Sequence, residues 1–120
     1  MAQLQLVALK VAAAISATDT GSAVDIKDFT GNGYISLISS ATGGAGQTST
    51  VKIQDSDDGS TGWADTGVSF TAVDNTAASV QDQYLPLDQF RRYVRVVNTL
   101  AGSTPTVAYS VVLRGIKHQK

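Results

Sequence analysis

Three groups of residues in this 120-residue chain have the types and spacing to do chemistry. The first is Asp55-Ser56-Asp57-Asp58-Gly59-Ser60-Thr61-Gly62-Trp63, with three carboxylates in four positions. Clustered carboxylate oxygens suit a hard cation such as calcium. An EF-hand loop, however, alternates its ligands and closes on a Glu. Here Asp57 and Asp58 are adjacent, and all ten acidic residues are Asp. Asp55, Asp57 and Asp58 are therefore weak metal candidates, and the main expectation is a tight hairpin. In it Asp side chains accept backbone N–H groups, Gly59 takes a positive φ, and Trp63 anchors the returning strand.

The second group is Arg91-Arg92-Tyr93-Val94-Arg95. On a strand Arg91, Tyr93 and Arg95 project together as a basic and aromatic stripe. Such a stripe serves either as a protein interface, where Arg and Tyr are enriched, or as a solvated face whose long stems cover apolar surface. The third group is His118, the one histidine, set in a basic tail. Without a second His, a Glu or a Cys, neither a catalytic triad nor a typical zinc site can be assembled. Gly43-Gly44-Ala45-Gly46 lacks the Lys-Ser/Thr of a phosphate-binding loop and reads as a flexible hairpin loop. The expectation is a protein without catalytic residues and without a cofactor.

The elements that would carry these residues are strands. Ser and Thr fill 25 positions and Gly 11, residues that favour strands and turns over helices. Turn clusters recur every 8–12 residues or so, at 18–22, 30–33, 42–47, 56–62, 74–76, 86–89 and 102–105, leaving about eight strand candidates. The clearest is the last, with Val107, Tyr109, Val111 and Leu113 on one face. Val51 and Ile53 face inward in another, Val94 and Val96 oppose Tyr93 and Arg95, and Val68 with Phe70, and Val80 with Asp82 and Tyr84, mark two more. Residues 34–39 alternate less cleanly, which suggests a central strand covered on both sides. Residues 1–17 form an N-terminal strand, or an arm reaching onto a neighbour through Leu4 and Leu6, ahead of a sandwich of residues 18–120. The expected fold is an all-β antiparallel sandwich of about eight strands in a single domain, jelly roll favoured over immunoglobulin-like.

Absence of Cys excludes a disulfide framework, and no apolar run approaches the roughly 18 residues of a membrane helix. The longest, 4–15, is broken by Gln5 and Lys10 and lacks a signal-peptide pattern. A soluble protein made in a cytoplasm is expected. Residues 1–88 hold ten Asp and three Lys (3 − 10 = −7), and residues 89–120 hold four Arg and two Lys (+6). Either a β-fold interleaves these charges, or the molecule is dipolar and docks acid-to-base on a lattice. Nucleic acid is not an expected partner, because the basic residues are few and Trp63 stands apart from them.

The order of segments carries a resemblance. Gly-Ser-Ala-Val-Asp (21–25) precedes Val-Lys-Ile-Gln-Asp-Ser-Asp-Asp-Gly-Ser-Thr (51–61). A Trp-containing strand, Arg-Tyr-Val-Arg-Val-Val (92–97) and Gly-Ser-Thr-Pro-Thr-Val (102–107) follow. From about residue 18 onward this resembles small virion proteins of tailed bacteriophages, including head decoration or cement proteins. The resemblance implies a β-sandwich on the capsid exterior that bridges major capsid protein subunits, works as a dimer or trimer, and has no catalytic residues. The Ser-Asp-Asp-Gly-Ser-Thr…Trp and Arg-Tyr-Val-Arg-Val segments are also similar to discoidin-type carbohydrate-binding sandwiches. That family is longer and shows more aromatics on its loops, so a carbohydrate-binding or tail-associated host-recognition module is the alternative.

Overall fold

A computed structural model describes the backbone of residues 2–118, and the side chains of residues 5–116 other than 30 and 32. Among the described residues the chain forms nine strands: β1 (Ala2–Ile15), β2 (Asp19–Thr20), β3 (Val24–Asp25), β4 (Phe29–Ser39), β5 (Thr48–Ser56), β6 (Ala64–Ser69), β7 (Ser79–Pro86), β8 (Tyr93–Ala101) and β9 (Val107–His118). They build two antiparallel sheets packed face to face, an all-β sandwich. One sheet runs β1-β9-β4-β7, and the other runs β2-β8-β5-β6 with β3 also on β8. Apart from β2–β3 and β5–β6, each step along the chain crosses to the opposite sheet.

The period of two explains the layering. Ile35, Leu37, Leu85, Val111 and Leu113 point inward from the first sheet, and Val51, Ile53, Val94 and Val96 from the second. All nine are at most 1% exposed, so the alternation seen in the sequence at 51–54, 93–97 and 107–113 is the core itself. Burial of a Val, Leu or Ile contributes about 1.5–3 kcal/mol, which makes this layer the main stabilising term of a domain without cross-links.

Several elements differ from expectation. The N-terminal segment is a strand of the sheet: β1 pairs with β9 from Ala2↔His118 to Ile15↔Val107, shifted by bulges near Ala8, Lys10 and Ala13. Residues 30–33 are not a turn but a bulge within β4, where Thr30 pairs with Ile116 and Tyr34 with Arg114. Gly31 adopts φ 71°, and a Cβ on Gly33 would lie 2.8 Å from the Arg114 carbonyl oxygen, so both glycines are needed there. Residues 42–47 are not a hairpin, because β4 and β5 lie in different sheets. That crossover is held in place: Gln47 Nε2 donates to the carbonyls of Ser103 and Thr104, and Gly43 N donates to that of Thr106. Finally, β4 is central but is covered on one face only.

Candidate functional site

The open face of β4 belongs to the outer surface of the β1-β9-β4-β7 sheet. Register places its side chains in rows. Tyr34 lies between Tyr84 and Arg114, with Leu6 beyond Arg114. Ser36 lies between Asp82 and Val112, with Ala8 beyond Val112, and Ile38 lies between Val80 and Ser110. Val80 is 73% exposed, Leu6 64%, Ile38 53%, Tyr34 51%, Tyr84 49% and Ile116 38%. Large apolar side chains standing singly on a surface are ordinary, but six on one sheet face form a patch of the kind that marks an interaction site.

A small polar cluster sits inside this patch. Arg114 Nη2 lies 3.6 Å from Asp82 Oδ1 and donates to Ser36 Oγ at 3.4 Å, while Ser36 Oγ donates to Asp82. The Arg114 guanidinium rests 5.7 Å from the Tyr34 ring centroid. Tyr34 and Tyr84 meet edge to face, with centroids 6.0 Å apart. The cluster neutralises and orients its own charges, so the patch presents apolar area around one paired acid and base.

That Tyr34, Ile38, Val80 and Tyr84 share an open face was not legible from the sequence. In Val80-Gln81-Asp82-Gln83-Tyr84 both faces of the strand carry polar residues, so alternation does not say which face is inward. Gln81 takes the inner side by bonding the backbone of Thr71 in both directions, which leaves Val80, Asp82 and Tyr84 outward.

The predicted site residues go elsewhere. Asp55 lies near the end of β5, and Asp57 and Asp58 lie in the β5–β6 loop; Asp55 and Asp57 both face Arg91, whereas Asp58 turns to N–H groups of the loop itself. Asp55 accepts from Arg91 Nε and from the Arg91 backbone N–H, both at 3.1 Å, and Asp57 lies 3.5 Å from Arg91 Nη1. Asp58 accepts from the N–H groups of Thr61 and Ser60 at 2.8 and 2.9 Å and from the Thr61 hydroxyl at 2.7 Å. Those donors, the Thr61 N–H first, hold its carboxyl well below the usual carboxylate range. Among the described residues no group of three or more metal-ligating side chains is assembled.

Arg91, Tyr93 and Arg95 are likewise engaged within the chain. Arg91 Nη2 donates to the carbonyls of Asp55 at 2.6 Å and Gly62 at 2.7 Å, clamping both ends of the loop. The Tyr93 ring packs beneath Gly59, whose φ is 78°, and beside the Arg92 guanidinium. Arg95 donates twice to Gln54 Oε1 and lies 4.2 Å from the centre of the Trp63 ring. Charge follows the same pattern. Arg91, Arg92 and Arg114, from the basic end of the sequence, pair with Asp55, Asp25 and Asp82 from the acidic part, so the fold interleaves what the sequence separates. The side chains of Leu4 and His118 lie outside the described residues.

An open groove of about 410 Å³ separates the two sheet edges formed by β1 and by β2 with β3, lined by residues 8–13, 20–22 and 24. Its one charged group, Lys10, is committed to Asp19 at 2.8 Å. The chain matches no protein-family model and no curated protein.

Proposed function

We propose that this protein is a non-enzymatic structural component of a phage particle that binds the capsid exterior and bridges major capsid protein subunits. The observation that carries the reading is the apolar outer face of the β1-β9-β4-β7 sheet, a surface suited to contact between protein subunits, whether of this chain or of a shell, rather than to chemistry. The carboxylates and guanidinium groups elsewhere serve loops and strand pairs, which fits a rigid domain. We read the winding, with nearly every connection crossing between sheets, as a jelly roll, an architecture used by viral capsid and lectin domains. The resemblance to decoration proteins supplies the particle. Repetition over a shell converts contacts of roughly 1,600 Å² each into firm attachment by avidity.

Co-sedimentation with expanded, empty capsids tests this. Saturable binding at a fixed ratio to the major capsid protein is expected, together with the protein's presence in purified virions by mass measurement. Its absence from particles, or turnover of a substrate by the purified chain, would overturn the reading.

One observation favours the alternative of a glycan-binding module: Tyr34 and Tyr84 stand together beside Asp82 and Arg114 on an exposed sheet, and aromatic and polar groups so placed suit a sugar. A glycan array with wild type and Tyr84→Ala separates the two readings, since only a sugar site yields binding that the substitution abolishes.

A further inference from the structure

We infer that the outer face of the β1-β9-β4-β7 sheet is covered by the same face of a second copy of this chain. The inference rests on reading the protein as one that acts by contact, and it names the partner of that face. Contact with the capsid then falls to the remaining surfaces.

Area is the first argument. Four strands about 4.8 Å apart, carrying outward residues over some nine positions at about 3.3 Å each, make a face of roughly 20 by 30 Å. That is about 600 Å² a copy and about 1,200 Å² for a pair, above the ~1,000 Å² that a specific interface needs. Six exposed large apolar side chains gathered on a face of this size form a patch of the kind that marks a protein contact.

Charge is the second. The ionic side chains described within the patch are one Arg and one Asp, adjacent and hydrogen-bonded through Ser36. A two-fold contact brings residue i against j and j against i, so one acid and one base on each copy are self-complementary. Their mutual pairing within each copy also lowers the penalty of excluding water from them.

Relief is the third. Small residues, Ala8, Ser36 and Ser110, alternate with Leu6, Tyr34, Tyr84, Ile38 and Val80 across the rows. Large side chains of one copy can enter the hollows over the small ones of the other, as facing sheets do when they stack about 10 Å apart.

Sedimentation equilibrium of the full chain over a wide concentration range is the test. Wild type is expected as a reversible or stable dimer. Val80→Lys and Ile38→Lys, on exposed outward positions, are expected to keep the melting temperature and to weaken dimerisation at least tenfold. Arg114→Asp alone, which leaves two acids on each copy, is expected to weaken it, and Arg114→Asp combined with Asp82→Arg to restore it. Should a lysine variant fail to fold, the charge-swap pair still decides.

A wild type that stays monomeric, a dimer indifferent to all these substitutions, or a double swap that fails to rescue would each overturn the inference. Co-sedimentation with capsids, run on the same variants, separates it from the functional proposal. A dimer that ignores capsids sinks only that proposal. A monomer that binds capsids through this face sinks only the dimer, as does a monomer whose face takes up a glycan.

Discussion

Tyr109, buried in β9, donates its hydroxyl to Asp19 Oδ2 of β2 at 2.7 Å, joining the two sheets at one edge of the sandwich. Lys10 of β1 reaches the same carboxylate oxygen at 2.8 Å and lies 5.6 Å from the Tyr109 ring centroid. One carboxylate thus ties three strands from two sheets. Removing the hydroxyl in Tyr109→Phe is expected to destabilise the fold by about 1.5 kcal/mol. That is the low end for a bond to a charged acceptor, because Asp19 retains some access to water. Urea unfolding with an unchanged slope measures it. A loss below about 0.3 kcal/mol would show that the link is energetically idle.

Stability should be level across neutral pH and fall on both sides. Asp19, through Lys10 and then Tyr109, and Asp25, through Arg92, are held below the ordinary carboxylate value of 3.8. Asp58, Asp65 and Asp74 are held down by the Thr61 N–H, by Gln54 and by Thr76 respectively. A lowered folded pKa contributes stability above the unfolded value and loses it as pH falls through the folded one. The Tyr109 phenol is shifted the other way, raised from 10.0 by burial and by its bond to Asp19. Its contribution is complete below pH 10 and declines as pH rises toward the folded value. Urea midpoints followed from about pH 2 to pH 11 should therefore be flat between about 5 and 8. Tyr109→Phe should soften the alkaline fall and Asp58→Asn the acid one. A sloping midpoint at neutral pH would contradict this assignment.

Two glycines with matched backbones separate strain from crowding. Gly46 has φ 76° with open space where a Cβ would go, whereas Gly59 has φ 78° and a Cβ there would lie 3.0 Å from Tyr93 Cγ. Gly46→Ala is expected to lose about 1 kcal/mol from left-handed strain alone. Gly59→Ala should lose at least about 1 kcal/mol more by displacing the Tyr93 ring. Equal melting temperatures for the two variants would mean that the loop yields freely.

Deleting residues 1–9 removes more than half of β1. It takes Leu9, 4% exposed, out of the core and uncovers the backbone edge of β9. Loss of the Leu9 side chain alone is worth about 2–5 kcal/mol, and a bare edge invites strand pairing between molecules. A lower melting temperature and increased light scattering are expected. Unchanged melting would return the segment to the role of a dispensable arm.

Much of the core is legible in the sequence alone. Val51 and Ile53, Val94 and Val96, and Val107 through Leu113 alternate with polar neighbours, and alternation states which side of a strand leaves water. The Asp58–Gly59 turn was legible for a similar local reason, since its hydrogen bonds close within three residues. By contrast, the partners of Arg91, Arg92 and Arg95 sit 29 to 67 residues away in sequence, and nothing local announces them.

The amino-acid sequence by itself determined that this chain is all-β, much of its core, and where its tightest turn falls, because strand periodicity and turn chemistry act over a few neighbouring residues. Tertiary structure alone decided that residues 30–33 bulge rather than turn, that the acidic and basic parts neutralise one another, and that Tyr34, Ile38, Val80 and Tyr84 share one open face. Those outcomes depend on which strands lie side by side and which sheet each faces. Pairing across long stretches of chain settles both, and an isolated strand carries no record of its neighbours.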